Sequence, residues 1–146
     1  MLKIKKLIKN WKKNKMKKAA VIGNPIQHSK SPFIHNFWLK KFTIEGSYEA
    51  IRAENNGDFE KTVLKLIEDG YTGFNVTIPF KGLAHEMCDE HLDIGYVSHY
   101  PDDLRAANTI KIKDGKLIGY NTDFFGFYQD QKITMRNDKK NVIILG

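Results

Sequence analysis

The chain has 146 residues, 41% of them hydrophobic and 28% charged, which suits one packed core and leaves no apolar run long enough to span a bilayer. Its net charge of +7 would suggest a nucleic-acid partner, but nine lysines and no acidic residue lie within residues 1–18, and the other 128 residues hold 15 basic against 17 acidic side chains. The basicity belongs to a tail, so neither a basic groove for phosphates nor a nucleic-acid partner is expected.

Within that tail Ile4, Leu7, Ile8 and Trp11 recur at helical spacing among lysines, as in a basic helix resting on an anionic membrane surface. A basic extension over residues 1–17, disordered or helical, ahead of an ordinary start at Met16 is the preferred reading, and membrane contact is disfavoured. No continuous apolar stretch of a secretory signal is present.

Lys18–Gly23 predicts a buried strand, broken by Asn24-Pro25 and a polar loop. Ser31-Pro32 predicts a helix start, with serine as N-cap and proline at the first helical position. Phe33, Ile34, Phe37, Trp38 and Phe42 then carry the helical period to about Glu45, and Gly46 ends it. Ser47–Ala53 is a second expected strand and Asn56-Gly57 a turn. Asp58–Asp69 is an amphipathic helix with Phe59, Val63, Leu66 and Ile67 inward and Gly70 just beyond its end. Tyr71–Ile78 is a third strand, stopped by Pro79.

A helix is expected from Gly82 to about Glu90, while Asp93–Leu104 has no clear pattern. Cys88 stands in Ala-His-Glu-Met-Cys-Asp-Glu-His, residues 84–91, whose spacing fits none of the usual zinc patterns. A solvated helix face with Met87 or Cys88 packed inward is expected there, and no metal. The lone cysteine also excludes an internal disulfide and fits a reducing, cytoplasmic setting. Asn108–Lys113 and Lys116–Tyr120 flank Asp114-Gly115, a two-residue hairpin signal. Thr122–Gln131 is a helix capped by Asn121 or Thr122, and Asn141–Gly146 is a further buried strand.

Alternating strands and helices imply an α/β fold: a mainly parallel open sheet with helices on both faces, plus a C-terminal β-hairpin. Ligands of such sheets bind at the carboxyl ends of the strands. Ser29 and Ser31 follow the first strand, Asn75, Thr77 and Lys81 lie within and after the third, Asn108 opens the hairpin, and Asn121, Thr122 and Asp123 follow it. These hydroxyls, amides, one ammonium and one carboxylate suit a small polyhydroxylated ligand. Asn75 and Thr77 share a strand face opposite Val76 and Ile78, so one face can pack while the other binds. Pro79 ends the pairing and turns the chain so that Lys81 can approach the binding side.

Four stretches resemble the shikimate dehydrogenase family, in the family's order over roughly residues 18–128. They are Gly23-Asn24-Pro25-Ile26-Gln27-His28-Ser29-Lys30-Ser31-Pro32 with Ile34-His35-Asn36, Asn75-Val76-Thr77-Ile78-Pro79-Phe80-Lys81, Ala107-Asn108-Thr109, and Asn121-Thr122-Asp123. The resemblance implies NADP-linked reduction of 3-dehydroshikimate to shikimate in aromatic amino acid (chorismate) biosynthesis. It implies that Ser29 and Ser31 hold the substrate carboxylate, and that Asn75, Thr77, Asn108 and Asp123 take ring hydroxyls. Lys81 and Asp123 are the implied catalytic pair, the lysine donating a proton to the carbonyl oxygen; a cation aimed at a developing alkoxide is the physical core of that role. His28 and His35 belong to the motif, and structural hydrogen bonding is expected of them.

The same resemblance divides the chain into the extension at 1–17, a substrate-binding domain at 18–128, and a linker with the first strand of a Rossmann-type NADP-binding domain at 129–146. Gly146 would be the first glycine of its phosphate loop. Such a chain would supply the substrate-binding half and should not turn over alone. The alternatives are a non-catalytic module binding shikimate or quinate, a fragment of a quinate/shikimate dehydrogenase and, last, a membrane-surface protein using the tail. Two departures from the family stand out: Phe124 where glycine is usual, and a longer segment between Lys81 and Asn108.

Overall fold

The computed structural model of the chain describes residues 16–92 and 104–134. The basic tail, the segment 93–103 and the expected strand ending at Gly146 lie outside these residues. Six strands, β1 (Lys17–Gly23), β2 (Gly46–Arg52), β3 (Gly73–Val76), β4 (Glu90–His91), β5 (Thr109–Lys113) and β6 (Lys116–Tyr120), form one sheet in the order β2-β1-β3-β5-β6-β4. β1 pairs in parallel with both β2 and β3, and β4 with β6, whereas β5 runs antiparallel to its neighbours β3 and β6. The sheet is therefore mostly parallel with the expected hairpin built into it. Asp114 and Gly115 turn that hairpin at φ of 52° and 80°, the left-handed pair that a tight two-residue connection requires.

Alternation along β1 sorts the core into two faces. Ala20 and Ile22 point to the larger cluster with Phe74, Val76, Ile110 and Ile112. Over this face lie helix α2 (Asn56–Glu68), through Phe59, Val63 and Leu66, and the short α3 (Lys81–Glu86), through Ala84. Met87 and Cys88 pack against the same cluster as expected, although the helix expected to reach Glu90 ends at Glu86 and Glu90 opens β4. Val21, on the other face, packs with Ile26 and Tyr48, and α1 (Ser31–Lys41) attaches there. α4 (Thr122–Thr134) follows β6.

Several elements differ from expectation for identifiable reasons. Helix α2 begins at Asn56, so Asn56-Gly57 is its first turn: Asn55 is the N-cap, its Oδ1 accepting from the backbone N–H of Asp58 at 3.1 Å. Gly70 adopts φ 76° beyond the end of α2, as its position predicts. In α1 the N-cap is Lys30, and Ser31 is already helical; Ser29 reaches forward instead, its Oγ accepting from the Ser31 N–H at 3.3 Å. The helix ends at Lys41 rather than near Glu45, and none of its residues is buried. Its apolar period faces outward, with Phe33 78% and Phe42 64% exposed. Polar and aromatic contacts fix α1 instead. The Asn36 amide brackets the Tyr48 backbone, its Nδ2 donating to the carbonyl at 2.7 Å and its Oδ1 accepting from the N–H at 2.9 Å, while His35 stacks on the Tyr48 ring at 4.2 Å.

Candidate functional site

Each site residue sits where a strand leaves the sheet. β1 ends at Gly23 beside the end of β3, where the Thr77 N–H donates to the Ile22 carbonyl and the Asn24 N–H to the Ile78 carbonyl, both at 3.0 Å. A Cβ on Gly23 would collide with Thr77 Cγ2, so only glycine lets the two loops close this tightly. The peptides before Pro25 and Pro79 are both cis. Between these loops lies a cavity of about 220 Å³, lined by Ser29, Ser31, Thr77, His28, Ile26 and Ile78 among others. Strand β3 stops at Val76, so Thr77 belongs to the turn after it. Val76 is buried as expected, but Ile78 is 64% exposed and lines this cavity instead of the core.

The turn from Thr77 closes through the Phe80 N–H on the Thr77 carbonyl at 3.1 Å and delivers Lys81 as the first residue of α3. Lys81 Nζ meets Asp123 Oδ2 at 2.6 Å, with the two side chains 33% and 59% exposed. Asp123 is placed by the start of α4, where Asn121 Oδ1 accepts the Phe124 N–H at 2.9 Å. Phe124 thus leaves the helix start intact, and its ring stacks on Tyr128 at 6.2 Å. The Ala107 N–H donates to the Lys81 carbonyl at 2.9 Å, docking the segment before β5 on the start of α3.

Asn75 and Asn108 form a second group. Asn75 Nδ2 donates to the Asn108 carbonyl at 3.2 Å and to Thr109 Oγ1 at 2.9 Å, and its Oδ1 accepts from the Tyr48 hydroxyl at 2.7 Å. Asn108, 7% exposed, accepts the Thr122 N–H on Oδ1 at 2.9 Å and donates from Nδ2 to Thr122 Oγ1 at 2.8 Å. Among the described residues no buried side-chain nitrogen or oxygen lacks a partner. The structure thus gathers Ser29, Ser31 and Thr77 around one cavity, pairs Lys81 with Asp123, and joins Asn75 to Asn108 through the backbone carbonyl of the latter. Sequence reasoning passed over Tyr48, Asn36 and Thr109 as contributors. Asn36 and Thr109 lie inside the quoted motifs and Tyr48 sits at an inward position of β2, but their contacts with one another and with Asn75 arise only in the folded sheet.

No group of three or more His, Cys, Asp or Glu able to hold a metal occurs among the described residues. None of the strand-to-helix turns among them is glycine-rich in the way that dinucleotide phosphates require. At this site the described residues offer hydroxyls, amides, one ammonium and one carboxylate, and the phosphate loop expected from Gly146 onward lies outside them. Nor is any helix among them long and apolar enough to cross a membrane.

Residues 21–110 match the profile of the shikimate dehydrogenase substrate binding domain. A shikimate dehydrogenase (NADP(+)) of Oceanobacillus iheyensis is 40% identical over 130 residues, 86% of this chain and 45% of that protein. Among solved structures, a shikimate dehydrogenase in complex with NADP+ superposes with a TM-score of 0.68 at 34% identity, over 83% of this chain and 40% of that one. The Thermus thermophilus shikimate 5-dehydrogenase, solved in complex with shikimate, superposes with a TM-score of 0.66 at 32% identity, over 81% of this chain and 42% of that one. The chain spans about half the length of the curated relatives it matches. With the family profile covering most of the described fold and the substrate-side motifs in place, the chain belongs to the shikimate dehydrogenase family.

Proposed function

We propose that residues 18–128 form the substrate-binding half of an NADP-dependent shikimate dehydrogenase that reduces 3-dehydroshikimate to shikimate. The observation that carries this reading is the Lys81–Asp123 pair at 2.6 Å, four residues along the chain from the cavity wall at Thr77. Ser29 and Ser31 direct hydroxyl donors at the ligand carboxylate. The Ser29 oxygen already accepts from the Ser31 N–H, which leaves its own O–H to give. NADPH supplies the hydride when bound. Lys81 holds the proton for the oxygen that becomes a hydroxyl, and Asp123, an acceptor only, keeps the ammonium turned toward that oxygen. The relative solved with shikimate supports shikimate ahead of quinate. The free thiol of Cys88 supports a cytoplasmic setting. The partner is a small molecule, neither nucleic acid nor membrane.

Titration of the isotopically labelled chain with shikimate tests this reading by NMR. Saturable shifts are expected at Ser29, Thr77 and Lys81, and Lys81→Met should weaken binding by roughly tenfold or more, the usual cost of a lost charged hydrogen bond. Absence of a saturable shift at Lys81, or unchanged affinity in Lys81→Met, would sink the assignment.

A further inference from the structure

An asparagine side chain can present either its oxygen or its nitrogen to a ligand, so its role in recognition depends on what fixes the amide. Backbone groups, whose polarity is not negotiable, fix both amides of this site. The Thr122 N–H can only donate, so the Asn108 atom facing it is Oδ1. The Thr109 hydroxyl donates to that same oxygen at 3.2 Å, which leaves Thr109 Oγ1 to accept from Asn75 Nδ2. The Asn108 carbonyl can only accept, so it too selects Asn75 Nδ2. Asn75 Oδ1 is thereby turned toward β2, where the Tyr48 hydroxyl must act as donor.

We propose that Tyr48 and Thr109 are positioning residues that hold both amides in the polarity the backbone selects, so that Asn75 meets the ligand as an acceptor and Asn108 meets it as a donor. Both hydrogens of Asn75 Nδ2 are committed, and its Oδ1 keeps one lone pair beyond the Tyr48 bond. Asn108 Oδ1 is filled by the Thr122 N–H, the Thr122 hydroxyl and the Thr109 hydroxyl, and its Nδ2 keeps one hydrogen beyond the Thr122 bond. One ligand hydroxyl must therefore donate and another accept. Burial pushes the Tyr48 phenol up to about 12, so the donor persists at any ordinary pH. The bracket that Asn36 forms on the Tyr48 backbone and the His35 stack on its ring hold that hydroxyl at the start of the relay.

This inference rests on the binding reading above, and its test separates the two. Tyr48→Phe in the full 146-residue chain should weaken shikimate roughly fivefold, the scale of one neutral hydrogen bond, and should have no further effect in an Asn75→Ala background. In the ligand-free chain, Tyr48→Phe should speed water exchange of the Asn75 side-chain amide protons by about tenfold or more. A general loss of structure would spread across the spectrum instead. Thr109→Val gives a second route, predicted to disturb the amide signals of Asn75 and Asn108 together. Unmoved Asn75 amide signals, or a Tyr48→Phe penalty that persists without Asn75, would overturn the proposal. A wild-type chain that does not bind shikimate fails the binding reading and removes the ligand half of this one. The amide signals of the free chain decide the hold of Tyr48 on Asn75 in either event.

Discussion

Lys81 and Asp123 touch at 2.6 Å yet remain a third and more than half exposed. Exposed ion pairs add little to folding, commonly under about 1 kcal/mol, because solvent screens the charges and two side chains must be ordered. Asp123→Asn should therefore change folding stability by less than about 1 kcal/mol in urea denaturation while weakening shikimate binding several-fold in titration. A large stability loss with unchanged binding would assign the pair to the fold instead. At this scale the Lys81–Asp123 contact was legible in outline, because a lysine after a strand-ending proline and an aspartate at a helix start are local signals. Tyr48 and Thr109 were not, since each acts through the amide of Asn75, and that connection exists only once β2, β3 and β5 lie side by side.

Helices α1 and α2 show where periodicity suffices and where it misleads. The inward face and terminal glycine of α2 were legible, because the helix buries what its pattern says it should, but its Asn55 cap and its start two residues earlier were not. The pattern of α1 is equally apolar but points outward, its hold on the sheet coming from Asn36 and His35, which no apolar count would single out. β4 went unpredicted because two residues, both exposed, carry no period. That strand brings His91 onto His85 with ring centroids 3.9 Å apart. Partial desolvation of the ring against its neighbours first, and then the nearby His85, hold the His91 imidazole below its ordinary value of 6.5, exposed though the residue is as a whole. The unfolded chain then binds more protons than the folded one as pH falls through that value, so stability is full above about 7 and declines below it. Denaturation midpoints should drop between pH 7.5 and 5.5, and His91→Gln should flatten the drop. An unaltered pH slope in that variant would remove His91 as its source.

For the molecule as a whole, alternating strands and helices disclosed the sheet and its hairpin because the connections from β1 to β3 and within the hairpin are short. The antiparallel insertion of β5 between β3 and β6 was not legible, since pairing partners are chosen by the assembled core. The apolar residues of α1 lie outside that core, so Phe33→Lys should change stability by no more than about 0.5 kcal/mol, as is usual for exposed positions. A loss of several kcal/mol on denaturation would show that Phe33 is packed after all.

The reversed strand also has a consequence for assembly. Because β5 runs against β3, its first residue arrives at the same rim where β1 and β3 end, and Lys81 finds Asp123 across 42 positions of chain. Closing so long a loop is an entropic cost met only by folding of the intervening hairpin. The ion pair therefore forms only where the β5–β6 hairpin lies against β3, and it reports that docking rather than either strand alone.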